Sequence, residues 1–180
     1  MRVRNVFVSW ALALALCASA RPVSAQDVRA SELSAGYVYL VDTRTDVSFP
    51  KGWTIAGARK IGKIWAVIQF DYSMTELPLV LGDARVSIRS LMGGAGARFR
   101  FGRLRQFAQL TAGPVQQRGV LFGIESSVSR FALQPGLGID YFLTDAVALR
   151  AGFDDQIVAS SEGEWTHQLR STATIAYSFR

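Results

Sequence analysis

The sequence predicts an all-β protein: an eight-stranded antiparallel up-and-down transmembrane β-barrel behind an N-terminal signal peptide. Three observations point there. From Ser31 onward, side chains alternate with a period of two. The connections between the alternating segments are long and short in strict turn. The closing stretch RSTATIAYSFR keeps its largest apolar side chains at the terminus, where a solvated tail would have none.

The first segment is a leader. Arg2 and Arg4 precede an uncharged apolar run, VFVSWALALALCASA, followed by Arg21 and the small-residue exit Val23-Ser24-Ala25. That is the pattern of a secretory signal peptide, and the run is short for a membrane helix, which needs about 20 apolar residues. Cleavage after Ala25 divides the chain into a leader, 1–25, and one domain, 26–180. Loss of Arg2, Arg4 and Arg21, with no acidic residue beside them, lowers the net charge from +6 to +3. So small an excess argues against nucleic acid as a partner. The single cysteine, Cys17, leaves with the leader; a lipoprotein would carry a small residue before it, and Leu16 stands there. The exported domain then has neither disulfides nor thiolate chemistry.

The strands fall at about 32–41, 52–60, 64–73, 88–101, 104–113, 128–142, 146–157 and 167–179. The first two show the least contrast between faces. In the third, Ile64, Ala66, Ile68, Phe70 and Tyr72 oppose Trp65, Val67, Gln69 and Asp71. In the fourth, Leu91, Ala95, Ala97, Phe99 and Phe101 oppose Met92, Gly94, Gly96, Arg98 and Arg100. The sixth sets Phe131, Leu133, Pro135, Leu137, Ile139 and Tyr141 against Ala132, Gln134, Gly136, Gly138 and Asp140. The seventh sets Val147, Leu149, Ala151 and Phe153 against Ala148, Arg150, Gly152 and Asp154. Most run near ten residues, the length that spans a bilayer when tilted. Connections at 42–51, 74–87, 114–127 and 158–166 are long, and those at 61–63, 102–103 and 143–145 are short. All long loops therefore lie at one end of the meander, as in transmembrane barrels.

Two closed barrels fit this rhythm, a soluble carrier with its apolar faces inward and a membrane barrel with them outward. The faces favour the second. The apolar set is bulky and almost uncharged, while the other mixes glycine and alanine with Asp71, Arg98, Arg100, Arg130, Asp140, Arg150, Asp154 and Arg170. Arg105 lies on the same face. Small residues with charges of both signs suit a narrow lumen, where ions neutralise one another. A solvated face would carry more lysine; the chain has Lys51, Lys60 and Lys63, each at a strand end or turn. Aromatics near the strand ends, Tyr37, Tyr39, Trp53, Phe70, Tyr72, Phe99, Phe101, Tyr141, Phe142, Trp165, Tyr177 and Phe179, match interfacial girdles. Two residues resist the pattern. Asp155 falls on the lipid face unless it already lies above the hydrocarbon, and Pro135 removes a ladder donor from a central strand, where a bulge is expected.

The opening LSAGYVYL, the hairpins GWTIAGARKIGKIWAVIQFDYS and FRFGRLRQFAQLTAG, and the closing strand resemble the small eight-stranded outer-membrane β-barrel proteins, the group around the outer-membrane protein A transmembrane domain, with porin-like barrels. The resemblance spans Ser31 to Phe179. It implies a bacterial outer-membrane location, lipid as a permanent neighbour, and insertion by the barrel-assembly machinery. The family's C-terminal assembly signal falls on Thr172, Thr174, Tyr177 and Phe179, with Thr174 in place of a glycine and Arg180 after the final aromatic.

Chemistry is sparse. Lipid A deacylases of similar size pair a histidine with a serine and a carboxylate. Here His167 stands alone, with Ser171 four residues on, about 13 Å away along a strand, and Glu162 and Glu164 before it. One histidine and no mature cysteine make no zinc site, and the glycine clusters at 93–96 and 136–138 precede no helix that could cradle phosphate. The expectation is a non-enzymatic monomer without cofactor or metal, with a structural, adhesive or surface-interaction role carried by the outer loops and an unidentified surface ligand. A lipid-modifying enzyme and a soluble periplasmic carrier are the alternatives.

Overall fold

The computed structural model describes residues 30–79, 82–121, 124–159 and 164–180. The proposed leader, 1–25, with Cys17, and the loop residues Gly123 and Glu162 lie outside them. The elements are β1 (Ser31–Asp42), β2 (Val47–Phe49), β3 (Lys51–Ile61), β4 (Ile64–Leu79), β5 (Gly82–Phe101), β6 (Leu104–Leu121), β7 (Ile124–Phe142), β8 (Val147–Ala159) and β9 (Trp165–Phe179).

All neighbours pair antiparallel. β1 pairs with β3 on one side and with β9 on the other, so the sheet closes on itself. The closing seam runs from Ser31↔Phe179 to Asp42↔Gln168. β2 continues β3 across a break at Pro50: Tyr37 faces Trp53, while Leu40 faces Phe49, one residue out of step. The Tyr37 hydroxyl donates to the Pro50 carbonyl at 2.5 Å and fixes that step. Nine elements thus make eight staves.

Which face lies outside is decided by exposure. Ile68 and Ile175 are each 59% exposed, whereas Gln134 and Asp140 are fully buried. The outward set, with Leu33, Ile55, Leu91, Leu110, Ile139 and Leu149, is the apolar one. The barrel is inverted relative to a soluble protein, and an apolar wall around a polar interior is stable only in lipid.

Two of the short connections are two-residue turns. Ile61 pairs with Ile64 around Gly62-Lys63, and Phe101 with Leu104 around Gly102-Arg103. Gly62 and Gly102 have φ of 63° and 59°, the left-handed conformation that such hairpins need and glycine adopts without strain. In the third, Thr144 Oγ1 accepts from the amides of Ala146 and Val147, at 3.2 and 3.0 Å. These turns and both ends of the described chain define the turn end of the barrel; the opposite end is the loop end.

Four expectations need correction. Much of the spans 74–87 and 114–127 is not loop: β4 and β5 stay paired up to Leu79↔Gly82, and β6 and β7 up to Leu121↔Ile124. Above the bilayer both faces of a hairpin meet water, so the period-two signal fades although the ladder continues. Pro135 makes no bulge. Its register with β8 is the same at Leu133↔Ile157 and Gly136↔Asp154, and only the pairing between those points lapses. Phe142 belongs to no outer girdle: it is 4% exposed and points into the lumen. Asp155 is buried rather than set bare against lipid, and accounting for it requires the neighbouring strand, described below.

Close packing in the lumen makes one glycine testable. A Cβ at Gly138 would run into the Phe107 ring and the Ala151 carbonyl, whereas one at Gly93 would meet nothing within 4 Å. Gly138→Val is therefore expected to lower stability by about 1–3 kcal/mol, read as an earlier midpoint of urea unfolding in detergent. Gly93→Ala should leave that midpoint unchanged.

Candidate functional site

The interior is built by the inward positions of every stave, and its charged side chains collect in two clusters. Nearer the turn end, Glu32 from β1 faces three guanidiniums: Arg98 at 2.8 Å, Arg150 at 2.5 Å, and Arg105. Asp140 takes the Nε of both Arg105 and Arg150, each at 2.6 Å. Above it, Arg170 bridges Asp71 at 2.7 Å and Asp154 at 3.2 Å. Gln69 and Ser90 donate to Asp71 as well, Ser90 at 2.9 Å. The first cluster holds three cations and two anions, the second one cation and two anions. Together the four guanidiniums balance the four carboxylates.

Aromatic faces support the arginines. The Arg98 guanidinium lies 4.0 Å from the Trp65 ring centroid, Arg105 lies 4.9 Å from Phe142, and Arg150 lies 4.7 Å from Phe107. Stacking of this kind strengthens as water is excluded. Small residues make the room: Gly138 and Gly152 leave space for the Phe107 ring. Between the clusters a gap of about 30 Å³, lined in part by Glu32, Arg98, Arg150 and Asp154, has room for a water molecule or two.

Six of the eight residues expected in the lumen network, Asp71, Arg98, Asp140, Arg150, Asp154 and Arg170, sit in these clusters. Arg100 does not. Its side chain is 44% exposed at the turn-end rim, where it donates to the Gly102 carbonyl, reaches Asp145 at 3.9 Å and stacks on Phe142. The strand runs out before the lumen closes over it. Arg130 is not in the network either; it faces inward at the loop end, above both clusters. Glu32 is the residue that sequence reasoning missed. Its parity with Ser34 and Val38 was readable, but β1 shows little contrast between faces, and the partners lie on three distant strands. Of the assembly-signal positions, Thr172 and Thr174 face inward, and Tyr177 and Phe179 face outward with stacked rings 6.1 Å apart.

Asp155 is explained by its neighbour. His167 on β9 lies diagonally across from it, and its Nδ1 is 2.8 Å from the Asp155 carboxylate. The serine considered with it, Ser171, is not involved: among the described residues no hydroxyl is bonded to the His167 ring. Nor, among those residues, do three or more His, Cys, Asp or Glu side chains gather to hold a metal.

An outward apolar belt around a neutralised ionic lumen defines a small transmembrane β-barrel, and solved structures of that class share this fold. Neisserial surface protein A matches with a TM-score of 0.67 at 12% identity, covering 83% of this chain and 96% of that one. Ail, the attachment invasion locus protein of Yersinia pestis, matches at 0.60 and 15%, covering 84% and 99%. OprG, an outer membrane protein of Pseudomonas aeruginosa, matches at 0.57 and 9%, covering 85% and 97%. At these identities the likeness establishes the fold. No family model matches the chain, and no curated protein matches it.

The ion count yields a prediction. Glu32→Gln leaves three guanidiniums facing one carboxylate and should cost about 3–5 kcal/mol of folding stability. Adding Arg98→Gln, which removes one surplus cation, should recover part of the loss. Urea unfolding followed by the gel shift between folded and boiled protein measures both.

Proposed function

We propose that the mature chain is a monomeric integral protein of the bacterial outer membrane, without catalytic activity, whose structural, adhesive or surface-interaction role is carried by the segments at its loop end. The observation that carries this reading is the inversion of the barrel: a bulky, almost uncharged apolar wall outside, with paired charges inside. Lipid is its permanent neighbour, and the leader at 1–25 directs export. Thr172, Thr174, Tyr177 and Phe179 are the address read by the barrel-assembly machinery. That the closing strand must pair with β1 fits such a role, since recognition there acts on the strand that completes the ring.

A transport role has less support. The turn-end gap and the loop-end cavity share no lining residue. On β9 Arg170, on β5 Met92 and on β1 Leu40 lie between the two, and all three are 2% exposed or less. Eight staves leave a lumen that side chains fill. In planar bilayers the purified protein should show no open-channel levels, and stable conductance steps would refute the sealed lumen.

The enzyme alternative draws on one observation, the Asp155–His167 pair on the outer wall, since a carboxylate orients an imidazole this way in hydrolases. The expected result is no acyl release from labelled lipid A by the purified protein. Release that His167→Ala abolishes would replace the present reading. Location is tested by fractionation and by tags. The protein should sediment with the outer membrane and migrate faster unboiled, and a tag at Gly123 should be reached on intact cells while one at Gly62 is not. Recovery in the soluble periplasm would overturn the membrane assignment.

A further inference from the structure

Above Arg170 the lumen holds an apolar cluster beside the buried glutamines Gln134, Gln156 and Gln168. Leu40, Phe49, Ile88, Met92, Val115 and Val158 pack across it as a buried layer. On that layer opens a cavity of about 550 Å³, inside the mouth of the barrel, a volume in the range of small-molecule sites. Its apolar surface comes from Val47, Phe49, Val86, Val128 and Val158, and its polar surface includes Asp42, Arg130 and Gln168.

The polar groups are unevenly satisfied. One oxygen of Asp42 accepts the amides of Arg44 and Thr45, at 3.0 and 3.2 Å, and the other accepts from Gln168 at 3.2 Å. Arg118 is paired with Glu125, and Arg44 with Glu164 at 3.7 Å. Arg130 has no such partner. Among the described residues it forms no ion pair, and its Nε is buried without an acceptor. Gln168 also lines the cavity, from β9, and its unbonded side-chain oxygen is an acceptor, which leaves Arg130 as the anchor for an anion. An unpaired cation beside an apolar surface is costly, and an anion that brings its own apolar body relieves both the charge and the wetted wall.

We infer that this cavity is a binding site for a small amphiphilic anion of the alkyl carboxylate type. The carboxylate pairs with the Arg130 guanidinium, and the alkyl chain lies against Val86, Val128, Val158 and Phe49. A cation is repelled by Arg130. A sugar would leave most of its hydroxyls facing valine. The buried layer beneath prevents passage, so the ligand binds and leaves from the loop end. The site deepens the proposed surface role by naming a ligand class, and it rests on that reading in taking the mouth to open outward.

The test uses the full mature chain in lipid nanodiscs and decanoate as probe, followed calorimetrically against empty nanodiscs. Saturable binding near one per barrel is expected, with decanol and decyltrimethylammonium markedly weaker. Arg130→Gln should weaken decanoate by about tenfold or more, the scale of a lost charge-assisted hydrogen bond. Val128→Asp, which sets a like charge in the cavity, should weaken it similarly, and Arg85→Gln, outside the cavity, should change nothing. Faster migration of unboiled protein verifies folding of each variant, and if Arg130→Gln does not fold, Val128→Asp alone decides. Binding no greater than to empty nanodiscs, equal binding of the cationic analogue, or insensitivity of decanoate to the cavity variants would each overturn the site. Failure to enter nanodiscs would instead count against the membrane reading.

Discussion

A peptide group in hydrocarbon has no water to bond, and that single condition shapes everything else in this molecule. Each strand must find partners on both edges, so the sheet can cross lipid only as a ring. β1 and β9 supply the join, and their ladder covers the whole of β1. Closing the ring with so few staves leaves a lumen of side-chain width. The two-residue period then assigns half of every strand to lipid and half to that narrow space.

What fills the space is an ionic core where a soluble protein would have an oily one. Its parts constrain one another: the carboxylates need the guanidiniums, the guanidiniums lie on Trp65, Phe107 and Phe142, and the Phe107 ring needs glycines beneath it. Low dielectric makes each pair strong and each unpaired member expensive. The filling is layered along the axis, ionic toward the turns, uncharged above Arg170 where an apolar cluster packs beside buried glutamines, and open at the mouth. The layers match the surroundings only loosely, because the wall outside is apolar throughout the span. The sequence of layers belongs to the interior alone.

Much of this was legible in the sequence, for definite reasons. Wherever lipid borders one face, alternation is enforced residue by residue, so the parity of β4, β5, β7, β8 and β9 could be read directly, Trp65 included. Where lipid ends, that pressure ends with it. The protruding parts of the β4–β5 and β6–β7 hairpins therefore looked like loops. Partner choice was beyond one-dimensional reading. That Glu32 meets Arg98, Arg105 and Arg150 depends on shear between strands far apart in the chain, and that His167 covers Asp155 depends on the exact register of β8 on β9. Arg100 shows the reverse failure: its parity was right, but a correct face does not tell where along the axis the lumen stops.

Glu32 also has a consequence for how the barrel completes itself. It is the one carboxylate that β1 contributes to the clusters, and β1 is half of the closing seam. Until that strand docks, Arg98, Arg105 and Arg150 face Asp140 alone. A seam shifted by one residue could form nearly as many backbone hydrogen bonds as the native one, so the ladder by itself discriminates poorly. The same shift would turn Glu32 toward lipid, bring Leu33, Tyr37 and Tyr39 inward, and leave the arginines uncompensated. Charge in the lumen thus joins the apolar face of β1 in setting a closing register that the backbone alone leaves open.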